Sequence, residues 1–139
     1  MKMFLLLILT AFMWGFTPIL EKVGLTKTQP LTAVTIRSIA VCLVLLVFLF
    51  FTGRLKEVIS VDTKTIAIFS ISGIIAGLLG MLTYFQALKL GATSEIVPIV
   101  ATYPLVTAIL SVLILGEQIT ILRILGTILI VAGIWLVQL

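Results

Sequence analysis

Five long apolar segments constrain the fold of this chain more than any other feature. Each is close to the roughly 20 residues that a helix needs to cross roughly 30 Å of hydrocarbon. Since lipid offers no hydrogen-bond partners, the backbone groups of such segments must bond internally, and we predict five transmembrane helices. The predicted spans are residues 3–21, 30–52, 65–88, 94–115 and 119–138, joined by short stretches rich in glycine or charge.

The composition supports a single all-α integral-membrane domain over residues 1–139. Hydrophobic residues make up 62% of the chain and charged residues only 10%, against roughly 25% charged in soluble domains. Lys2 and the apolar run after it could begin a signal peptide, but no small-residue cleavage site follows. We therefore expect this segment to remain as the first span.

Several classes of chemistry are not expected. The chain has no histidine and a single cysteine, Cys42, so neither an internal disulfide nor a cysteine-rich metal site is predicted. No nucleophile–base pair or phosphate loop is visible, so we predict no enzyme activity, no catalytic residue, no metal and no cofactor. The net charge of +4 is spread over short loops, which favours anchoring at membrane surfaces over nucleic-acid binding.

An odd number of spans places the two termini on opposite sides of the membrane. Five basic residues then lie on the N-terminal side (Lys2, Arg54, Lys56, Lys64 and Arg123) and three on the other (Lys22, Lys27 and Lys89), or four if Arg37 snorkels back to that surface. This bias is weak. One fixed orientation in the inner (plasma) membrane and insertion in both orientations therefore both remain open.

Span 1 carries polar side chains and a proline on one helical face, because they recur at helical spacing. They are Thr10, Trp14, Thr17, Pro18 and Glu21. Such a face suits a water-lined cavity or a helix partner better than lipid. The alternative is that the threonines bond carbonyls of their own helix and that Trp14 packs inside the bundle.

Arg37 lies about two turns into span 2. A charge at that depth normally snorkels to the surface, pairs with an opposite charge or faces a cavity. Snorkelling, a partner carboxylate and an anionic substrate are all consistent with the sequence.

Span 4 opens with a carboxylate, Glu95, and contains Pro98 and Pro104. Each proline removes a backbone donor and crowds the preceding turn, so we predict kinks here and at Pro18. Freed carbonyls in such interrupted helices can meet a substrate. Glu95 either complements the helix dipole at the first turn or serves as a deeper coupling site.

Two glycine pairs predict close helix contacts, because small residues let helix backbones approach in lipid. Gly73 and Gly77 form a GxxxG pattern in span 3, on the same face as Tyr84. Gly126 and Gly133 stand seven residues apart in span 5, so they share one seam. The predicted contacts form within the chain or between chains.

The chain as a whole resembles an EamA-type domain of the drug/metabolite transporter superfamily. The run ALKLGATSEIVPIVATYPLVTAILSVLILGEQIT, followed by RILGTILIVAGIWL, is similar to the second half of that domain, and Trp14–Gly15 and Arg37 also fit it. Most members resemble two fused units, which give ten helices as inverted repeats around a central cavity. The resemblance implies that this chain is one half of such a fold and forms an antiparallel homodimer.

The resemblance implies a transporter of a small metabolite or drug-like solute that works by alternating access. The expected substrate-binding residues are Trp14, Thr17, Tyr84, Glu95, Thr102 and Tyr103. Span 5 also resembles the dimerising last helix of small multidrug resistance proteins, in which a carboxylate in the middle of helix 1 binds proton and cation. Here that position offers Trp14, so Glu21 or Glu95 would have to take its place. The alternatives are a non-transporting membrane subunit, and a heterodimeric half-transporter or lipid-linked sugar flippase subunit.

Overall fold

The computed structural model describes residues 1–137, which form helices joined by short turns, with no strand among them. In chain order the elements are α1 (Lys2–Leu25), α2 (Pro30–Thr52), α3 (Leu55–Ile59), α4 (Thr63–Ser72), the π-helix π1 (Gly73–Gly80), α5 (Met81–Leu90), α6 (Thr93–Val100), α7 (Tyr103–Leu115) and α8 (Ile121–Val137). The prediction of an all-α protein is confirmed.

Four helical stretches are long and apolar enough to cross a membrane. They are α1, α2, span 3 (α4, π1 and α5, Thr63–Leu90) and span 4 (α6 and α7, Thr93–Leu115). The described part of α8 has 17 residues, about 26 Å of helix, at the lower end of the range for a span. A fifth span at α8 therefore stays a prediction, and residue 138 of that predicted span lies outside the described residues.

Local sequence signals explain where the long helices end. Pro30 occupies the first position of α2, where its missing N–H costs nothing. Gly53 and Gly116 end α2 and α7 with φ values of 69° and 66°, a left-handed conformation that favours glycine. Helix α1 continues to Leu25, four residues beyond the predicted end of span 1, because the helix does not stop where charged residues begin.

Span 3 contains an eight-residue π-helix, which hydrophobic periodicity does not predict. π-Helices are rare, are usually limited to a single turn and are frequently found at functional sites. A Cβ atom built at Gly80 would lie 3.2 Å from the carbonyl oxygen of Ile75. The wider turn thus brings the carbonyl five residues back close to position 80, and glycine fits there.

The chain divides into two compact units, Met1–Leu90 and Gly91–Leu139. In unit 1 the buried side chains are clustered at one end, where Leu25 of α1, Val34 of α2 and Phe85 and Leu88 of α5 pack together. These residues come from the end of α1, the start of α2 and the end of span 3. Neighbouring spans in unit 1 therefore run antiparallel.

Unit 2 consists of α6, α7 and α8, and α8 contacts both of the others. Ile96 of α6 and Ile134 of α8 are buried, and most of the other apolar side chains are exposed. Surfaces this apolar are stable against lipid or against another chain, and not against water.

Candidate functional site

An ion pair joins two of the membrane-spanning helices of unit 1. Nε of Arg37 on α2 lies 3.9 Å from Oε1 of Glu21 on α1, with the Glu21 side chain 14% exposed and that of Arg37 48% exposed. Of the alternatives that the sequence left open for Arg37, the structure shows the partner carboxylate.

The antiparallel arrangement of α1 and α2 explains why these two residues meet. Glu21 lies four residues before the end of α1, and Arg37 lies seven residues after the start of α2. At 1.5 Å per residue both lie roughly 6 to 10 Å inside the same end of their helices. Ionisable residues within spans are costly unless paired or facing a cavity, so they mark functional sites.

Tyr84 of α5 belongs to the same end of unit 1. Its side chain is half-buried against the core cluster of Leu25, Val34, Phe85 and Leu88. Tyr84 lies six residues before the end of α5, and Glu21 lies four residues before the end of α1, so both are at a similar depth in this end of unit 1. Of the predicted substrate-binding residues, Tyr84 is the one that the structure brings to the ion pair.

Two lysines connect α5 to the rest of this end. Nζ of Lys22 on α1 donates a hydrogen bond to the carbonyl oxygen of Leu88. Nζ of Lys89 donates to the carbonyl oxygen of Thr28 at 3.0 Å and to Oε1 of Gln29 at 3.3 Å. The elements that carry Glu21 and Tyr84 are thus tied together by side chains as well as by apolar packing.

The polar face of α1 continues from Glu21 towards the middle of the helix. Oγ1 of Thr17 donates to the Trp14 carbonyl oxygen at 3.0 Å, and Oγ1 of Thr10 donates to that of Leu6 at 2.9 Å. The threonine hydroxyls therefore bond their own helix, as the alternative reading of this face supposed. Pro18 is buried, whereas Trp14 is 64% exposed and does not pack inside the unit.

In unit 2, span 4 is interrupted at Ala101 and Thr102, between α6 and α7. The N–H and Oγ1 of Thr102 both donate to the Ile99 carbonyl oxygen, at 3.1 Å and 2.8 Å. Because Pro104 has no N–H, the Val100 carbonyl loses the donor that a continuous helix would supply. Thr102 and Tyr103, both predicted to bind substrate, lie at this interruption.

Glu95 lies in the first turn of α6, whose N-cap residue is Ala92. The position is near the start of span 4, and it places the carboxylate where it complements the helix dipole. Of the two readings of Glu95, its place in the helix favours the one at the first turn.

An open groove lies between α2 and span 3 in unit 1, with a volume of about 640 Å³. Its lining residues come from one face of α2 and from α4 and π1. They are Arg37, Ser38, Val41, Cys42, Leu45, Leu46, Ser70, Gly73, Ile74, Gly77 and Leu78. A Cβ built at Gly73 or Gly77 would meet no described atom within 4 Å. Within the described chain this glycine pair borders a groove, so its predicted helix contact stays a prediction for a second copy.

A second groove, of about 690 Å³, lies between α7 and α8 in unit 2. Aliphatic side chains form most of its walls, together with Glu117, Arg123 and Gly126. A Cβ at Gly126 or Gly133 would likewise meet no described atom within 4 Å. Both glycines of the predicted seam are therefore open in the described structure.

The comparison with known families decides the class of the protein. The model of the EamA-like transporter family matches residues 1–139. The chain belongs to the EamA-like transporter family. A protein of Sinorhizobium sp, named as a transporter in the cobO 3′ region, is 29% identical over 126 residues, which cover 91% of this chain and 89% of that protein. A protein of Methanocaldococcus jannaschii is 28% identical over 131 residues, covering 94% of this chain and 92% of its own.

No solved structure matches this EamA-like chain at a significant level. The family and the apolar helices together make it a multi-pass membrane protein. The family also indicates transport of a small solute. This confirms the resemblance on which the sequence-based expectations rested.

Sequence reasoning did not place the groove-lining residues Ser38, Cys42 and Ser70 in a site. A signal for two of them was present, because the polar residues Ser38 and Cys42 lie four positions apart and so share one side of α2, next to the side that carries Arg37. For Ser70 no signal was available, since its position depends on how span 3 packs against α2.

Proposed function

We propose that this EamA-like chain transports a small metabolite or drug-like solute across the inner (plasma) membrane. The observation that carries the proposal is the Glu21–Arg37 ion pair, which lies inside two membrane-spanning helices at the end of unit 1 where Tyr84 packs against the core cluster. A partly buried pair is a weak source of stability, because desolvation of the carboxylate offsets the attraction between the charges. A paired charge beside a hydroxyl in a transporter family is better explained by solute binding.

The transporter works as an antiparallel homodimer in this proposal. An odd number of spans turns a second copy upside down when the two copies complete one inverted-repeat fold. The weak charge bias of five basic residues against three or four is compatible with insertion in both orientations. The two relatives are matched over 89% and 92% of their own lengths, so proteins about as long as this chain recur among similar proteins.

Exposed surfaces supply the contacts that a second copy would use. Trp14 presents its ring on the polar face of α1, where it would form part of a central cavity. Gly126 and Gly133 leave the α8 backbone accessible to another helix. The interruption at Ala101–Thr102 and the prolines Pro98 and Pro104 would be the points that flex while one copy rocks against the other.

Transport in proteoliposomes tests the proposal. The purified chain is reconstituted and offered a panel of radiolabelled amino acids, organic acids and amines. We expect saturable movement of at least one class, and a loss of about tenfold or more in Trp14→Ala if its ring contacts the solute. Phe12→Ala is the matched control, since Phe12 is another exposed aromatic residue of α1. No movement across the whole panel would leave a non-transporting subunit as the better explanation.

The topology of the dimer is tested by mapping both termini in intact cells with tags and impermeant reagents. We expect each terminus on both faces of the membrane. If each terminus were found on a single face of the membrane, and cross-linking joined two copies in parallel, the antiparallel homodimer would be contradicted.

A further inference from the structure

We infer that the transported solute carries an anionic group, a carboxylate or a group of the same charge and shape, that binds Arg37 in the groove between α2 and span 3. This inference rests on the proposed transport function and names the chemical class of its solute. It is carried by the geometry of Arg37, by the residues of the groove and by the position of Glu21.

The guanidinium of Arg37 is only partly engaged. Its contact with Glu21 runs through Nε at 3.9 Å, which is longer than a hydrogen bond. Among residues 1–137, no hydrogen bond to its terminal nitrogens is formed. A guanidinium has five N–H donors in a rigid fork, and carboxylates fit this fork through two parallel bonds. The half-exposed Arg37 side chain therefore offers unfilled donors.

The groove presents this positive charge without a negative one. Arg37 lines it, and Glu21 is not among the lining residues. Ser38 lies beside Arg37, and its hydroxyl bonds none of the described residues, whereas Thr35 on the preceding turn donates to the carbonyl oxygen of its own helix at Leu31. An anionic group at this end would receive donors from both Arg37 and Ser38.

The remainder of the groove fits an apolar body. It extends along α2 from Arg37 to Leu46, which is about 13 Å of helix. Val41, Leu45 and Ile74 supply aliphatic walls, and Gly73 and Gly77 of π1 add no side chains to narrow the groove. A volume of about 640 Å³ is within the range of small-molecule sites. The groove thus suits a solute with one charged end.

Anion binding would also change the protonation state of Glu21. The groups that face this carboxylate are Arg37 from α2 and Tyr84 from α5, with Lys22 beside it on α1 bonded to the Leu88 carbonyl. A solute anion on Arg37 competes with Glu21 for the same cation, so Glu21 would take up a proton. The site begins as one cation and one carboxylate, and ends as one cation, one solute anion and one neutral acid. By linkage, solute and proton then favour each other's binding.

The single native cysteine provides the test, because Cys42 lines the same groove. The full chain is reconstituted in phosphatidylcholine vesicles and modified with two methanethiosulfonate reagents, the anionic sulfonatoethyl and the cationic trimethylammonioethyl compound. The rate at which each reagent modifies Cys42 is divided by the rate at which the same reagent reacts with glutathione in solution. We expect the anionic reagent to react faster with Cys42, and Arg37→Gln to lower the anion-to-cation ratio about tenfold, which corresponds to about 1.4 kcal/mol.

Matched variants separate the anion site from general charge. Arg54→Gln removes an exposed arginine at the other end of α2 and should leave the ratio unchanged. Arg37→Lys keeps the charge and should retain most of the preference, which also covers the case that Arg37→Gln does not fold. Because protonation of Glu21 favours anion binding, the anion-to-cation ratio of the unaltered chain should rise as the pH falls. Glu21→Gln removes the competing carboxylate, so it should raise the ratio and make it independent of pH.

Three results would overturn the inference. They are equal or greater reactivity with the cationic reagent, no reaction of Cys42 with either reagent, and loss of the preference when phosphatidylglycerol is added, which would assign Arg37 to a lipid headgroup. Transport of neutral or cationic solutes without any anion preference would defeat this inference alone. An anion preference that depends on Arg37, without transport of any solute, would defeat the proposed transport function instead.

Discussion

Unit 1 and unit 2 differ in the kind of contact that holds the helices within each of them together. In unit 1, Lys22 and Lys89 connect elements that are far apart in sequence, and Arg37 connects α2 to α1. In unit 2, the hydroxyls of Thr107 and Thr127 donate to carbonyls four residues back in their own helices. Unit 1 therefore has one end fixed by polar contacts and a packed cluster, whereas unit 2 depends more on lipid or another chain to hold its helices.

The largest expected effect comes from the packed cluster of unit 1. Leu88 is 0% exposed and Leu113 of unit 2 is 74% exposed. Leu88→Ala removes methyl groups that fill a closed space, so we expect a loss of about 2 to 3 kcal/mol in the free energy of unfolding. Leu113→Ala should cost less than about 0.5 kcal/mol. Unfolding in mixed detergent measures both, and similar losses would remove the distinction between the units.

The glycine caps test whether helix ends depend on the unit that contains them. Gly53 of unit 1 and Gly116 of unit 2 have nearly the same positive φ, and no described atom would crowd a Cβ at either. We expect Gly53→Ala and Gly116→Ala to cost about 1 kcal/mol each, because the strain is local. Gly15→Ala, within α1 and also in open space, should stabilise by about 0.5 to 1 kcal/mol. A large difference between the two cap variants would contradict a local origin.

The lysine contacts of unit 1 should contribute less than its apolar packing. Lys89→Met removes the bonds to Thr28 and Gln29 while keeping a long apolar side chain. We expect a loss of about 0.5 kcal/mol in unfolding free energy, since the site is exposed. Lys27→Met is the control, because Nζ of Lys27 bonds none of the described residues. Equal effects of the two variants would mean that the Lys89 contacts do not stabilise unit 1.

The smallest expected effect concerns the helix N-caps, at which the two units differ. Asp62 caps α4 by accepting a hydrogen bond from the Thr65 N–H at 3.0 Å, whereas Ala92, with similar extended dihedrals, has no side chain to cap α6. Asp62→Ala should weaken α4, and Ala92→Asp should strengthen α6. Circular dichroism during thermal unfolding compares the two variants.

The Asp62 cap also predicts a dependence on pH. Hydrogen bonding by Thr65, through its side chain and its backbone N–H, lowers the pKa of Asp62 from its ordinary value of 3.8. The stabilisation is therefore fully present above that value and is lost as the pH falls through the lower pKa of the folded protein. Asp62→Asn should remove this part of the pH dependence. An unchanged pH profile in Asp62→Asn would show that the charge of Asp62 does not matter for stability.

The spans were largely predictable, while the partners of their polar residues were only partly so. The predicted segment 30–52 coincides with α2, because Pro30 and Gly53 mark its ends in the sequence. Glu21 and Arg37 were both visible as charges in apolar surroundings. Their pairing was one alternative among several, because it depends on the rotation of α1 and α2 about their axes.

The glycines of span 3 show the same limit. A GxxxG pattern indicates that a backbone can be approached closely, but it does not say whether anything approaches. In the described structure Gly73 and Gly77 border open space beside α2. The π-helix that contains them was not predictable either, since its hydrogen bonds depend on small shifts along a helix whose hydropathy is nearly uniform.

The sequence by itself determined that this protein is a bundle of apolar helices in a membrane and a member of a transporter family. Hydropathy, glycine caps and proline positions act over a few residues, so they can be read along the chain. Only the tertiary structure decided that Arg37 meets Glu21, that Tyr84 lies beside them and that a groove opens along α2. Those relations join residues from different helices, and they are fixed by how the helices pack and rotate against one another.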